Sequence, residues 1–247
     1  MNHHIVAAIS IVGTCLDVLG SLYLAYDLLG GQHGPLRVLT RAVTYSIVFG
    51  VGYGLGLGLF FGLASGIATG LTVSVELNRF ARGLDHFSLP WEASFSAIRG
   101  AAFAAGLYPT VGLLFAVAFG ILITLGQVFG YWRGMRPSTD YSAARRPRFS
   151  PRLFWGTVLR TIGYTAAALL CSAFVRHVDH AWLFAIRVGL VTGLVTGIGF
   201  TLNPYIEFYA DNLPERRLGV LGIALILLGF SLQSVQYWLA LFDIHLA

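Results

Sequence analysis

Charged side chains within the apolar part of this sequence are the first residues that could do chemistry. Arg41 lies near the start of one long apolar stretch and Glu76 near its end, and Arg160 and Glu207 take the corresponding places in a later stretch. An ionisable group inside a membrane is costly, and it usually faces a partner or a wet cavity. We therefore predict an Arg–Glu pair at each end of the protein, which either gates or lines a vestibule or is a static interfacial ion pair.

Two tyrosines extend these predicted charged networks. RAVTYS (41–46) and RTIGYT (160–165) each place a tyrosine one helical turn after the arginine. Tyr45 and Tyr164 could therefore donate their hydroxyls to the same networks.

Three further polar residues lie in apolar stretches, and two of them, Asp17 and Arg187, have no counterpart elsewhere in the chain. Asp17 lies midway along the first stretch, and Arg187 lies in the later one. A carboxylate in such a position is a candidate proton or cation site with Arg187 or a helix dipole as its neutralising partner, and it can equally be protonated and inert. Asn203 precedes Pro204, which removes a helix hydrogen bond and frees carbonyls beside a candidate ligand position. The complete set of candidate path or gate residues is Asp17, Arg41, Tyr45, Glu76, Arg160, Tyr164, Arg187, Asn203 and Glu207.

The composition indicates that membrane helices position these residues. The chain has 247 residues, of which 56% are hydrophobic and 11% charged, whereas soluble domains carry about 25% charged residues. Several apolar stretches reach about 20 residues, the length of helix that crosses roughly 30 Å of hydrocarbon, and the strand alternation typical of a β-barrel is absent. The sequence predicts an all-α polytopic membrane protein. It offers no metal site, no cofactor motif and no room for a nucleic-acid-binding domain.

Seven transmembrane helices are predicted in a single membrane domain, 1–247. The connection at 80–106 is read as a polar linker that can include a helix lying at the interface. Helix 1 occupies 1–34, repeat 1 with helices 2–4 occupies 35–135, a basic loop occupies 136–152, and repeat 2 with helices 5–7 occupies 153–247.

The two repeats are predicted from matches that occur in the same order along the chain. Besides the Arg–Tyr pairs and the glutamates, GLASGIATGL (62–71) matches GLVTGLVTGI (189–198), and QVFGYW (127–132) matches QSVQYW (233–238). A repeat of three spans has an odd number of crossings, so the second copy would start on the opposite side of the membrane. We therefore expect an inverted 3+3 repeat preceded by one extra helix, an architecture found in secondary transporters.

The two glycine phrases are expected to pack predicted helices 3 and 6 together at the pseudo-twofold axis. Glycines at every fourth position line one helix face, and such faces let helix backbones approach closely in lipid. The same faces could form a constriction in which backbone and hydroxyl oxygens meet a permeant species. The glycines are Gly62, Gly66, Gly70, Gly189, Gly193 and Gly197.

These patterns predict an integral membrane transport protein, channel or carrier, for an ion or small polar solute. The alternatives are a membrane-embedded enzyme acting on a lipid and a structural assembly factor without a path. The HExxH, GxSxG and Walker sequences are all absent, and the polar residues lie in matched pairs at both ends instead of toward one leaflet, which favours transport over an enzyme. The expected partners are the lipid bilayer, the solute and a second copy of the chain. We expect a plasma membrane protein, in bacteria one of the inner membrane, and the weak arginine bias of the loops predicts a cytoplasmic N-terminus.

Overall fold

The structure is a computed structural model that describes residues 3–28, 37–81, 88–133, 151–173, 181–212 and 215–241. Within those residues every regular element is an α-helix, which confirms the predicted all-α class. The helices are α1 (His3–Leu28), α2 (Arg37–Leu57), α3 (Leu59–Ala81), α4 (Leu89–Val111), α5 (Leu113–Trp132), α6 (Pro151–Ser172), α7 (Ala181–Asn212) and α8 (Glu215–Leu241).

Six of the eight described helices are long and apolar enough to cross a membrane, namely α1, α2, α3, α5, α7 and α8. The prediction of seven transmembrane helices is not confirmed, because α6 is not among these six helices and the 80–106 region contains a further helix. There, α4 forms a helix of 23 residues that continues through Pro109 to Val111, whereas the sequence predicts a polar linker that can include a helix lying at the interface. At about 1.5 Å per residue α4 is as long as its neighbours, although Glu92 and Arg99 make it less apolar.

Single glycines separate two pairs of consecutive helices. Gly58, between α2 and α3, has φ +101°, and Gly112, between α4 and α5, has φ +82°. Side chains disfavour this left-handed region, and glycine adopts it at no steric cost. The chain therefore reverses within one residue, and each pair becomes a tight antiparallel hairpin.

The chain forms two compact units, residues 1–40 with 210–247 and residues 41–209. In the first unit α1 packs against α8 through glycines on both helices. A Cβ built on Gly13 would lie 2.7 Å from the Gly229 carbonyl oxygen, and one built on Gly222 would lie 2.7 Å from the Gly20 carbonyl oxygen. The two backbones are thus in direct contact, as small-residue faces allow.

The second unit, called the α2–α7 bundle below, is apolar on the outside and partly polar within. Large apolar side chains such as Leu55 and Leu114 are exposed, whereas thirteen polar or charged side chains among those described are buried, all but one of them within this unit. The interior also holds an aromatic cluster in which Tyr53, Phe61 and Phe103 stack or meet edge to face. A lipid environment explains this distribution, because lipid solvates the apolar outside at no cost.

The glycine phrases pack within helix pairs, so the predicted contact between the third and sixth helices is wrong. Cβ atoms built on Gly62, Gly66 and Gly70 of α3 would collide with α2 at Gly54, Gly50 and Ser46. Cβ atoms built on Gly189, Gly193 and Gly197 of α7 would collide with α6 at Thr165, Thr161 and Thr157. Each glycine face is therefore the surface on which a helix packs against its predecessor.

This packing changes the alignment of the two similar segments. When Gly62 is aligned with Gly189, the residue that each contacts on the preceding helix is aligned too, which pairs Gly54 with Thr165. The residues before them, Tyr53 and Tyr164, are then also paired. The sequence match had paired Tyr45 with Tyr164, two helical turns away. Tyr53 and Tyr164, which the contact-based alignment pairs, both lie in the buried core.

The similar helix pairs run in the same direction, which replaces the predicted inverted repeat. Helix α2 runs antiparallel to α3, since Gly54 meets Gly62 and Ser46 meets Gly70. Helix α2 also runs antiparallel to α7, with Gly52 beside Val195 and Gly56 beside Val191. Helices α3 and α7 are thus parallel, because α4 adds a helix between the copies and the number of intervening helices becomes even.

Replacing a packed glycine is expected to destabilise the bundle more than replacing an open one. A Cβ on Gly66 would lie 2.6 Å from the Gly50 nitrogen and 2.8 Å from the Ser46 oxygen. We expect Gly66→Ala to lower the free energy of unfolding by about 1–3 kcal/mol, measured by unfolding in detergent. The control is Gly126→Ala, which meets no atom within 4 Å and should raise stability by up to about 1 kcal/mol. Equal effects of the two variants would contradict the packing.

Candidate functional site

A fully buried guanidinium lies at the centre of the polar interior of the α2–α7 bundle. Arg99 of α4 is 1% exposed. Its Nη2 donates to Glu76 Oε2 at 2.9 Å, its Nε to Thr72 Oγ1 at 2.6 Å, and its Nη1 to the Tyr131 hydroxyl at 2.8 Å. The Arg99–Glu76 contact is an ion pair with both side chains nearly inaccessible. One arginine therefore links α3, α4 and α5.

Local sequence explains how α4 brings this arginine into the interior. Gly100 packs directly on Gly120 of α5, so these two helices approach closely. The neighbouring residue Arg99 is consequently held between α5 and α3. A buried charge is tolerated only when it is paired and hydrogen-bonded, and the planar guanidinium supplies donors in the required directions.

The α3 side of the site is one polar helix face. Ser65, Thr69, Thr72 and Glu76 follow the spacing of residues that share a helix face, and all four are buried. This is the face that Arg99 contacts. It is adjacent to the glycine face that packs on α2.

Two tyrosine hydroxyls provide a second set of polar contacts in the same interior. The Tyr53 hydroxyl lies 2.9 Å from Thr196 Oγ1, which joins α2 to α7. Gln127 Nε2 donates to the Tyr164 hydroxyl at 3.0 Å, which joins α5 to α6. The contact-based alignment pairs these two tyrosines, so equivalent residues of the similar segments point polar groups into the core.

The ring of Phe200 lies close to two guanidinium groups. Arg99 Cζ is 5.9 Å and Arg160 Cζ is 5.2 Å from the ring centroid. Both distances are within the range of cation–π attraction. Two arginines from α4 and α6 thus share one aromatic ring of α7, and the buried carboxylates Glu76 and Glu92 lie on α3 and α4 of the same bundle.

Several buried polar atoms have no hydrogen-bond partner among the described residues. They include Ser65 Oγ, Ser96 Oγ, Thr192 Oγ1 and Gln127 Oε1. Buried hydroxyls and amides in native proteins are almost always satisfied by protein or by ordered water. The interior therefore has capacity for water or a polar ligand beside the Arg99 cluster.

The structure corrects the predicted Arg–Glu pairing. Glu76 pairs with Arg99 instead of Arg41. Arg41 and Tyr45 are buried on α2. The side chains of Asn203 and Glu207 lie outside the part of the chain that the structure describes, so the second pair stays a prediction.

Asp17 and Arg187 each make a hydrogen bond within their own unit, and the neutralisation of Asp17 by Arg187 or by a helix dipole stays a prediction. Asp17 Oδ2 accepts a hydrogen bond of 2.6 Å from Gln233 Nε2, so α1 is joined to α8. Asp17 Oδ1 is buried, packs against Gly229 and has no hydrogen-bond partner among the described residues. Arg187 is exposed and donates from Nε to the Gly56 carbonyl oxygen at 3.0 Å.

Arg99, Thr72, Tyr131 and Tyr53 were not predicted from the sequence. Arg99 lies in the 80–106 segment, which the sequence predicts as a polar connection because serines and charges lower its hydropathy. A usable signal was present, since AIRGAAFAAG (97–106) surrounds the arginine with small residues that let helices approach. Thr72 and Tyr131 could have been identified only once Arg99 was placed.

These features define an all-helical membrane protein whose largest unit encloses a buried, charged and hydroxyl-rich core. Comparison with protein-family models, with curated proteins and with solved structures finds no match.

Removing one member of the buried ion pair is expected to cost more stability than removing both. Arg99→Met leaves Glu76 charged and buried, and Glu76→Leu leaves Arg99 in the same state, so each should cost about 3–5 kcal/mol. The double variant replaces both charges by apolar groups and should lose less than either single variant. Unfolding in detergent, read as a double-mutant cycle, checks this. Additive losses would show that the two residues are not coupled.

Proposed function

We propose that the α2–α7 bundle is a transport unit that conducts or carries a small polar solute or ion through its interior. The observation that carries this proposal is the polar face of α3, which is Ser65, Thr69, Thr72 and Glu76, buried inside a bundle whose outside is apolar. Hydroxyl groups along a helix are costly to enclose in lipid unless they face water, a solute or each other. Thr192 and Thr196 of α7 add hydroxyls to the same interior.

The Arg99–Glu76 pair has the role of a gate in this proposal. The pair closes the interior between α3 and α4 with bonds to Thr72 and Tyr131. An entering anion can compete for the Arg99 guanidinium, and an entering cation can compete for the Glu76 carboxylate. Separating the pair without such a competitor would leave two buried unpaired charges, which keeps the gate closed in the absence of solute.

Helix pairs that run in the same direction are compatible with transport. Some transporters are built from parallel repeats related by an axis along the membrane normal. The pairs α2–α3 and α6–α7 run in the same direction, as the two copies of a parallel repeat do, and their glycine faces lie at equivalent positions. Movement of one hairpin against the others would then open the interior, and the close backbone contacts within each pair make each hairpin a rigid body.

Several features of the proposal concern residues or properties outside the buried cluster. Asp17, with its unpaired Oδ1, would act as the proton-binding or charge-sensing residue if the protein is a carrier. The chain would function in the plasma membrane with its N-terminus in the cytoplasm, and it can form homo-oligomers. The lipid enzyme and the assembly factor remain the alternatives, and neither requires a path across the membrane.

Cysteine accessibility tests whether water enters the interior. In a background with Cys15 and Cys171 replaced by alanine, Ser65→Cys and Thr192→Cys should react with a charged, water-soluble methanethiosulfonate reagent, because both positions belong to the proposed path. The matched controls are Leu63→Cys and Leu190→Cys, which are exposed on the outside of the same helices and should be shielded by lipid. Labelling of neither interior position in membranes would contradict a path.

Flux through sealed proteoliposomes tests transport itself. The probes are H⁺, Na⁺, K⁺, chloride, phosphate and glycerol. We expect at least one to pass through the wild type, and we expect Glu76→Gln and Asp17→Asn to change its rate by about tenfold or more, as loss of a charge-assisted interaction does. Arg217→Gln, at an exposed arginine of α8, is the control and should behave as wild type. Absence of flux for every probe would favour the alternatives.

A further inference from the structure

A groove between α5 and α6 contains space that no described part of the protein fills. Its volume is about 260 Å³, and its walls come from the second half of α5 and the middle of α6, together with Phe200 of α7. Most of the lining is apolar. The lining residues that the argument uses are Gly126, Gln127, Gly130, Tyr131, Arg160 and Gly163.

Three glycines in the walls distinguish this groove from the packed helix pairs. A Cβ built on Gly126, Gly130 or Gly163 would meet no atom within 4 Å. The glycine phrases of α3 and α7 show the opposite, because a Cβ there would collide with the neighbouring helix. The groove glycines thus widen a space between two helices, and in a membrane the material available to fill such a space is a hydrocarbon chain.

Polar groups are concentrated at one part of the groove. Arg160 contributes a guanidinium, and Tyr131 a hydroxyl that already accepts from Arg99. Gln127 Oε1 is buried without a hydrogen-bond partner among the described residues, while its Nε2 donates to Tyr164. None of the described lining residues is acidic. This part of the groove therefore suits a ligand with an anionic oxygen and a hydroxyl donor.

Aromatic residues place this polar part near a membrane interface. Trp132 ends α5 and Trp155 lies one turn into α6, and both are exposed, as in the aromatic belts of membrane proteins. Arg160 follows Trp155 by five positions, which is about 8 Å along a helix. Arg133, at the end of α5, lies over the Phe129 and Trp132 rings and adds a second cation at the same end.

We propose that this groove binds an anionic phospholipid of the phosphatidylglycerol type, with one acyl chain between α5 and α6. The headgroup phosphate lies between Arg160 and Arg133, and a headgroup hydroxyl donates to Gln127 Oε1. Guanidinium groups bind phosphate through charge-assisted hydrogen bonds. The volume of about 260 Å³ is slightly below the roughly 300–1,000 Å³ of drug-sized ligand sites, so the groove has room for part of one acyl chain, and the rest of the lipid stays in the bilayer. This lipid site does not depend on whether the protein transports a solute.

The test compares an anionic with a neutral lipid on the purified full chain. Protein in a neutral detergent receives dioleoyl phosphatidylglycerol or dioleoyl phosphatidylcholine, and both the melting temperature and the lipid retained in native mass spectrometry are measured. Phosphatidylglycerol should raise the melting temperature more than phosphatidylcholine and should be retained. Arg160→Gln should weaken its binding roughly tenfold, as expected for loss of a charge-assisted hydrogen bond.

Variants that fill the groove test whether an acyl chain binds there, as distinct from a general attraction between the charged lipid and the protein. Gly163→Leu, and independently Gly126→Leu on the other wall, should abolish the shift caused by phosphatidylglycerol, because a leucine occupies the space of the chain. Ala166→Leu adds similar volume at an exposed position of α6 and should keep the full shift. Melting without lipid shows that each variant folds. Equal shifts from both lipids, or an undiminished shift in both glycine variants, would overturn the proposal.

Discussion

The burial of the Arg99 guanidinium is the constraint on which the interior of the α2–α7 bundle depends. A charge removed from water requires a counter-ion and several hydrogen bonds, and Arg99 obtains them from Glu76 and Thr72 on α3 and Tyr131 on α5. The positions of three helices are therefore coupled through one side chain. Phe200 extends this coupling to α7 and, through its second guanidinium neighbour Arg160, to α6.

Close backbone packing makes this arrangement possible in lipid. The hydrophobic effect does not draw helices together inside a membrane, so association depends on van der Waals contact and hydrogen bonds. Glycines at Gly66 and Gly193 bring α3 and α7 against their preceding helices, and Gly100 does the same for α4 against α5. At each of these contacts, the face of the same helix that lies beside the glycines points into the bundle. Those inward faces contain the hydroxyls and the charges.

The glycines of the α2–α7 bundle lie in two opposite environments. Gly66 touches the backbone of α2, whereas Gly163 faces open space between α5 and α6. The first kind closes a helix pair and encloses the polar interior, and the second kind opens a groove toward lipid. The hydrogen bond between Gln127 and Tyr164 lies at the boundary between the two regions, because both residues belong to the groove lining and Tyr164 also belongs to the core. A solute path and a lipid site can therefore coexist in one bundle.

The sequence by itself determined the helical class and the role of the glycine phrases as packing surfaces. These depend on local properties, namely hydropathy and helical spacing. Only the tertiary structure decided that α4 is a helix of the bundle, that Glu76 meets Arg99 instead of Arg41, and that α3 and α7 run in the same direction. Hydropathy alone does not identify α4 as part of the bundle, because it counts the charges of this helix but not the distant residues that compensate them. Helical spacing identifies a packing face but leaves open which helix occupies it and in which register, since that depends on how all the helices pack together.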